Sequence, residues 1–249
     1  MLSEHVLRQA LEQIGVEAPV RFDEVTGSTN VTALELAAAG APEWTLVAAA
    51  HQTQGRGRLG REWRNEPGHA LMFSLVLRPE LAPHRAGLIT LLAGACIATA
   101  ARELGTAVRC KWPNDLMVGS GKAGGILAES VVSGERFEHV VLGVGVNVGA
   151  FPPDVPEAAA LDADDRELLE AFLRAFADAY VPARSDFSAA VLERYRPLCA
   201  TLGRRVRAST IDGKTVEGEA VDIDETGALV IGTSDGLELV WSGEVEHLR

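Results

Sequence analysis

A chain of 249 residues with 47% hydrophobic and 23% charged residues carries enough apolar side chains for a sizeable core, as one large domain or one domain with a small appendage. Its formal charge of −12 opposes broad association with nucleic acid or acidic membranes, so a local cluster of arginines stands out against the background. Three cysteines, Cys96, Cys110 and Cys199, are odd in number and far apart, which fits neither a disulfide framework nor a zinc site and points to a reducing cytoplasm. The opening Met1-Leu2-Ser3-Glu4-His5 has no basic region followed by an apolar core, so no signal peptide is expected. The apolar run from Gly87 to Ala101 is shorter than the ~18 residues needed to cross a bilayer and reads as a buried helix.

Residues 3–14 repeat Leu and Val at helical spacing, with Ser3 placed to cap. A short strand over Val20 to Val25 leads into Gly27-Ser28-Thr29-Asn30, rich in capping side chains, and a helix that Gly40 ends. Trp44 to Ala50 reads as a strand entering a long loop, Gln52 to His69, and Leu71 to Leu77 as the strand leaving it; long loops inside compact domains are usually functional. After the apolar helix, Pro83 to Leu104, come four short β-rich segments: Ala107 to Trp112, Leu116 to Val118, Gly124 to Val132 and Val140 to Val148. They form a meander, so the sheet is at least partly antiparallel. A proline-stiffened connection, Phe151 to Pro156, precedes amphipathic helices over Arg166 to Tyr180 and Phe187 to Arg196. From Gly203 onward, strands at Val206 to Ala208, Gly218 to Ile223, Ala228 to Ile231 and Leu237 to Trp241, with turns at Asp212-Gly213, Glu225-Thr226-Gly227 and Asp235-Gly236, read as a small β-barrel.

The long loop holds Gly55-Arg56-Gly57-Arg58-Leu59-Gly60-Arg61-Glu62-Trp63. Glycines bare a run of backbone N–H groups, and guanidinium forks grip carboxylate or phosphate at two points, so the segment suits two anions held side by side. It matches the dinucleotide pattern G-x-G-x-x-G, yet residues 61–68 read as loop rather than as the helix that pattern needs, which argues against that use. Gly121-Lys122 resembles a phosphate loop, but Ala123 stands where the hydroxyl residue belongs. Lys111-Trp112-Pro113-Asn114-Asp115 is a strand end and tight turn; Lys122 precedes the bare pair Gly124-Gly125; and Gly143-Val144-Gly145-Val146-Asn147 strips one strand face and leaves Asn147 polar in an apolar run. Taken singly these are ordinary: a good turn, a solvated lysine, an internally satisfied asparagine. The six histidines show no metal-ligand spacing and no covalent-nucleophile motif is present.

In order along the chain, Gly27-Ser28-Thr29-Asn30, Gln52, Gly-Arg-Gly-Arg-x-Gly-Arg-x-Trp, Lys-Trp-Pro-Asn-Asp-Leu at 111–116, Lys-x-x-Gly-Ile-Leu at 122–127 and Gly-Val-Gly-Val-Asn at 143–147 resemble the biotin–protein ligases. The resemblance implies an α+β fold: a mixed, largely antiparallel sheet flanked by helices, like the catalytic domain of class II aminoacyl-tRNA synthetases, over residues 1–200, and a C-terminal SH3-like β-barrel over 201–249. It implies that biotin, ATP and Mg²⁺ give biotinyl-5′-adenylate, and that a lysine of a biotin carrier domain then takes the biotin. Ser28, Thr29, Asn30, Gln52, Gly55, Arg56, Gly57, Lys122, Gly125 and Gly143 are the implied biotin-binding residues. Arg58, Arg61, Trp63, Lys111, Asn114, Asp115 and Asn147 are implied for ATP and adenylate, with Arg58 and Lys122 catalytic and Asp115 the candidate magnesium ligand. Gly124 and Gly145 are expected to add room for the ligand. A cytoplasmic homodimer is the family-based expectation. Leu59, apolar where many members are basic, implies weaker retention of the adenylate, and the short segment before Gly27 leaves no room for a DNA-binding domain. Two alternatives are a lipoate ligase on the same fold, which lacks use for the ureido-binding residues, and a nucleic-acid binder, which the net charge opposes.

Overall fold

The computed structural model describes residues 1–210 and 213–248, so the expected Asp212-Gly213 turn lies partly outside the described residues. Helix α1 (Glu4–Gln13) starts where the Ser3 hydroxyl accepts the Val6 N–H. It is followed by β1 (Val20–Thr26), α2 (Thr29–Ala38), β2 (Leu46–Gln52), β3 (Ala70–Leu77) and α3 (Gly87–Glu103). The meander is β4 (Arg109–Lys111), β5 (Asp115–Val118), β6 (Gly121–Ser133) and β7 (Arg136–Asn147), and α4 (Asp165–Ala179) and α5 (Phe187–Tyr195) come next. The Asp164 carboxylate accepts the N–H groups of Arg166 and Glu167, capping α4 as a carboxylate at a helix N-terminus should.

The seven strands order as β1-β2-β3-β7-β6-β5-β4, parallel only between β1 and β2. All eight residues of β3 are buried, and the strand lies mid-sheet between β2 and β7. On one face Leu71, Phe73, Leu75, Leu142 and Val144 meet α1, α3, α4 and α5. There α3 buries twelve residues around most of its circumference; the apolar stretch Pro83–Glu103 has the length and composition of a membrane span, and most of it is packed inside the protein. Phe73, Phe172, Phe176, Tyr180 and Trp44 form a run of rings with centroids 5.1–5.9 Å apart, each contributing large apolar area. On the opposite face α2 sets Ala33 and Ala37 on Val47, Val76 and Val141, covering only part of the sheet.

The C-terminal strands are β8 (Arg205–Thr210), β9 (Thr215–Ile223), β10 (Leu229–Thr233), β11 (Gly236–Val240) and β12 (Gly243–His247). They make an antiparallel sheet in the order β11-β10-β9-β8-β12, an SH3-like arrangement left open between β11 and β12 rather than closed as a barrel. Strand β12 escapes sequence reading because Glu244, Glu246 and His247 surround a single buried apolar residue, Val245.

All three cysteines are free and buried. Burial pushes the Cys96 thiol up to about 12 and raises that of Cys110 as well. At about pH 8 the native protein is therefore expected to leave these thiols unlabelled by a disulfide dye, with all of them reacting once denatured; rapid labelling of the folded protein would contradict this packing.

Candidate active site

Register builds the site. Pairing across the meander aligns Lys111 with Asp115, Asp115 with Gly125, Gly125 with Gly145 and Gly145 with Met72, so one row crosses β4, β5, β6, β7 and β3 on the face that α2 leaves open. The next row is Leu127, Gly143 and Ser74. Two adjacent rows thus share a glycine floor, with Lys111 and Asp115 at one end of the first and Ser74 at the opposite end of the second. Side chains alternate along a strand, so Gly124 faces the other way, where a Cβ would strike the Gly145 carbonyl and Leu116; it serves packing and gives the cleft no room.

Above the floor lies a cleft of about 290 Å³. Its lining includes Ser28, Thr29, Asn30, Gln52, Arg56, Gly57, Arg58, Arg61, Trp63, Lys111, Asn114, Asp115, Lys122, Gly125 and Gly143. Of the residues expected from sequence, Gly55 and Asn147 are not among those lining it. A Cβ on Gly55 would collide with the Trp63 carbonyl, so that glycine permits two backbone segments of the loop to cross. Asn147 donates its amide to the Ala159 carbonyl at 2.9 Å, while its own Oδ1 is buried with no partner.

At the α2 end, the capping residues do other work than the sequence suggests. Ser28 is the N-cap by position but its hydroxyl makes no cap bond. The Thr29 N–H donates to Gln52 Oε1 at 2.7 Å, which turns the Gln52 amide toward Met72 Sδ. Ser74 Oγ lies 2.8 Å from Thr29 Oγ1 and 2.6 Å from Asn30 Oδ1, and Asn30 Nδ2 reaches Glu129 Oε2 at 2.9 Å. Donors and acceptors at this closed end are thereby fixed in direction before any ligand arrives.

The loop closes the cleft from above. The Gly57 N–H donates to Arg61 O and the Trp63 N–H to Gly55 O, making a small hairpin in which the Arg56 N–H takes part in neither bond. Each arginine finds a different acceptor: Arg56 on Glu129 at 2.9 Å, Arg58 on Asn114 Oδ1 at 3.3 Å and the Gly243 carbonyl at 3.2 Å, Arg61 on Glu244, and Arg64 on Asp154 at 2.8 Å. Burial is the largest influence on Arg58 and lowers its pKa; the Asp115 carboxylate opposes this and Arg61 adds to it. Lys122 Nζ lies 2.5 Å from Asp115 Oδ1. Trp63 lies on the floor, its ring so close to Gly145 that a Cβ there would come within 2.9 Å, and its indole N–H is buried without a partner. Leu59 sits at the rim, half exposed, with φ 56°, a backbone region bulky residues seldom adopt. Among the described residues no three His, Cys, Asp or Glu side chains assemble a metal site.

Glu129, Met72 and Ser74 are site residues that the sequence motifs do not reveal. Ser74 has a visible signal, a hydroxyl inside the apolar strand Ala70–Leu77, of the same kind that marks Asn147. Glu129 becomes legible only once the register places it two residues beyond Leu127 on the cleft face.

A bare floor, directional donors at one end and a cationic loop above define an α+β protein with a cleft for a small ligand beside an anionic one. The chain belongs to the biotin/lipoate A/B protein ligase family, whose description matches residues 22–147, and residues 201–248 match the biotin protein ligase C-terminal domain. It is 32% identical to the bifunctional ligase/repressor BirA of Bacillus subtilis, over 98% of this chain and 79% of that protein. It is 35% identical to the biotin–[acetyl-CoA-carboxylase] ligase of Mycobacterium tuberculosis, over 90% of this chain and 87% of that one. The structure of the biotin protein ligase of Aquifex aeolicus in complex with biotin and ATP superposes with a TM-score of 0.73 at 25% identity, covering 93% of this chain and 99% of that one.

The contact between Trp63 and the floor is testable without ligand. Gly145→Ala is expected to lift the indole and to cost about 1–3 kcal/mol by overpacking. In a Trp241→Phe background, to remove the exposed tryptophan, emission should shift to the red and become more quenchable by acrylamide; an unchanged spectrum would contradict the contact.

Proposed function

We propose that this protein is an ATP-dependent ligase that activates biotin as biotinyl-5′-adenylate and transfers the biotinyl group to a lysine of a biotin carrier domain. The observation that carries the reading is the two-ended cleft: neutral, oriented hydrogen-bonding groups at the Gln52–Thr29 end, and cations around the opposite end, over one glycine floor. A flat ring with a urea group fits the first end, and a carboxylate beside a phosphate fits the second. In the first step a carboxylate oxygen bonds to the α-phosphorus and pyrophosphate leaves. In the second a neutral lysine amine bonds to the acyl carbon, the acyl–oxygen bond breaks, AMP leaves, and the amine gives up a proton.

Two like charges must meet in the first step, so the barrier depends on cations and N–H groups placed before the reaction. In this reading Ser28, Thr29 and Gln52 hold the ureido ring with Asn30 behind them, and Gly125 and Gly143 leave room for it. The hairpin of Gly55, Arg56 and Gly57 faces the carboxylate. Arg58, Arg61 and Trp63 take the nucleotide side, and Lys111, Asn114 and Asp115 serve phosphate or base. Lys122, held by Asp115, stands where charge gathers on the acyl oxygen. The free Oδ1 of Asn147 suits a donating base N–H just beyond the floor. Magnesium would arrive on the triphosphate, with Asp115 as the proposed protein ligand; a lone carboxylate paired to a lysine suits that better than a resident ion. The division into a catalytic domain, 1–200, and a C-terminal domain, 201–249, belongs to the same proposal. So do a reducing cytoplasmic setting, in keeping with three free thiols, and a homodimer through β1 or β4, the edge strands of the larger sheet.

Labelled biotin and ATP, with and without a carrier domain, test the whole reading: label should reach the carrier only when all three are present, and failure to label it would overturn the proposal. Arg58→Ala is expected to lower biotin-dependent pyrophosphate exchange by ~10²–10³-fold, the cost of removing one donor from developing charge; exchange near the wild-type rate would remove Arg58 from the chemistry. Lys122→Ala should lower kcat by more than it weakens biotin binding. Calorimetry giving the reverse would assign Lys122 to ground-state binding instead.

A further inference from the structure

Glu129 is a carboxylate for which adenylation has no evident use, since the substrates are themselves anionic. The register nevertheless brings it to the cleft face of β6, opposite Val141 and one row outward from the Leu127–Gly143 pair. There its two oxygens take two different elements: Oε1 pairs with the Arg56 guanidinium at 2.9 Å, and Oε2 accepts Asn30 Nδ2 at 2.9 Å. The second Asn30 hydrogen goes to the Leu127 carbonyl at 3.2 Å, and Asn30 Oδ1 accepts from Ser74. Asn30, nearly fully buried, therefore spends its amide inside the protein and acts as a strut between β6, β3 and the first turn of α2.

We infer that Glu129 is a positioning residue, which anchors the arginine loop and the start of α2 to the same point of β6 and so fixes the two ends of the cleft relative to one another. The Arg56 guanidinium is held by this pair, while the Arg56 N–H is outside the hairpin bonds. A carboxylate suits the place because both neighbours are donors, Asn30 through its amide and Arg56 through its guanidinium. A neutral side chain can satisfy only the first at full strength. The role at the cleft rests on the ligase reading above, but the anchoring itself does not.

Glu129→Gln tests both. The amide oxygen can still accept from Asn30, while the ion pair to Arg56 is lost. In the full-length protein without ligand, hydrogen exchange over residues 55–64 is expected to speed up about 10-fold in Glu129→Gln and further in Glu129→Ala. In pyrophosphate exchange the KM for biotin should rise by about 10-fold with kcat within ~3-fold, the pattern of weakened binding without damaged chemistry. Arg56→Met should give the same rise, and the double variant Arg56→Met with Glu129→Gln should be no worse than either alone. Unchanged loop exchange, additive effects in the double variant, or a fall in kcat at constant KM would each overturn the assignment. A wild-type protein inert toward biotin and ATP would overturn the ligase reading, and the exchange measurement would still decide for or against the anchor.

Discussion

Strand register is the constraint on which this molecule depends. Side chains change face with every residue, so the cleft floor exists only because Gly125 pairs with Gly145 and Leu127 with Gly143, with Met72 and Ser74 completing the rows. A slip of one residue between β6 and β7 would offer the cleft Gly124 and Ile126 from β6, or Val144 from β7, in place of residues now on the floor. The β3–β7–β6 region is held against such a slip by its other face. Leu71, Phe73, Leu142 and Val144 pack beneath α3 and α4, and burying each contributes roughly 1.5–3 kcal/mol. The apolar core on one face of the sheet thus specifies the geometry of a polar site on the other.

Over this rigid floor the loop is held by a different and weaker physics. Its arginines would repel one another as a bare cluster, yet each is directed to its own acceptor on β6, the β5 turn, β12 or the 151–156 connection. These pairs are partly exposed, with side-chain exposures of 45% for Arg56, 65% for Arg61 and 51% for Arg64, so each contributes little on its own. Such weak pairs can exchange partners, whereas unpaired arginines would leave the loop without a defined path. The more buried Arg58 is held instead by a neutral amide and a backbone carbonyl.

Sequence carries the order of elements and nearly all of the cleft, because the residues that build it are chemically conspicuous: clustered glycines, interleaved arginines, a lysine before a bare strand. It does less well where a residue's meaning depends on a partner far along the chain. Ser28, Thr29 and Asn30 look like helix caps, and only the tertiary structure shows that Thr29 and Asn30 bond sideways to Gln52, Ser74 and Glu129. Gly124 and Gly125 look equivalent until alternation puts them on opposite faces. Strand β12 is hidden for a local reason, its single buried apolar residue, although it supplies Glu244 and the Gly243 carbonyl to the loop.

That last contribution bears on how the two sheets relate. Along the chain they divide near residue 200, but in space they share a surface. The Trp112 indole donates to the Gly227 carbonyl at 3.0 Å, and the Trp112 N–H donates to Thr201 at 3.0 Å. The turn at Thr226 and Gly227 lies against the start of α3 so closely that an added Cβ on Gly227 would come within 3.3 Å of Gly87. Trp112 is fully buried in this contact and sits between Lys111 and Asn114, both of which line the cleft. The turn that presents those cleft residues is therefore braced by the C-terminal sheet, while β12 of the same sheet holds Arg58 and Arg61. Any movement of the smaller sheet would reach the cleft by two routes, through its rigid wall and through its loop.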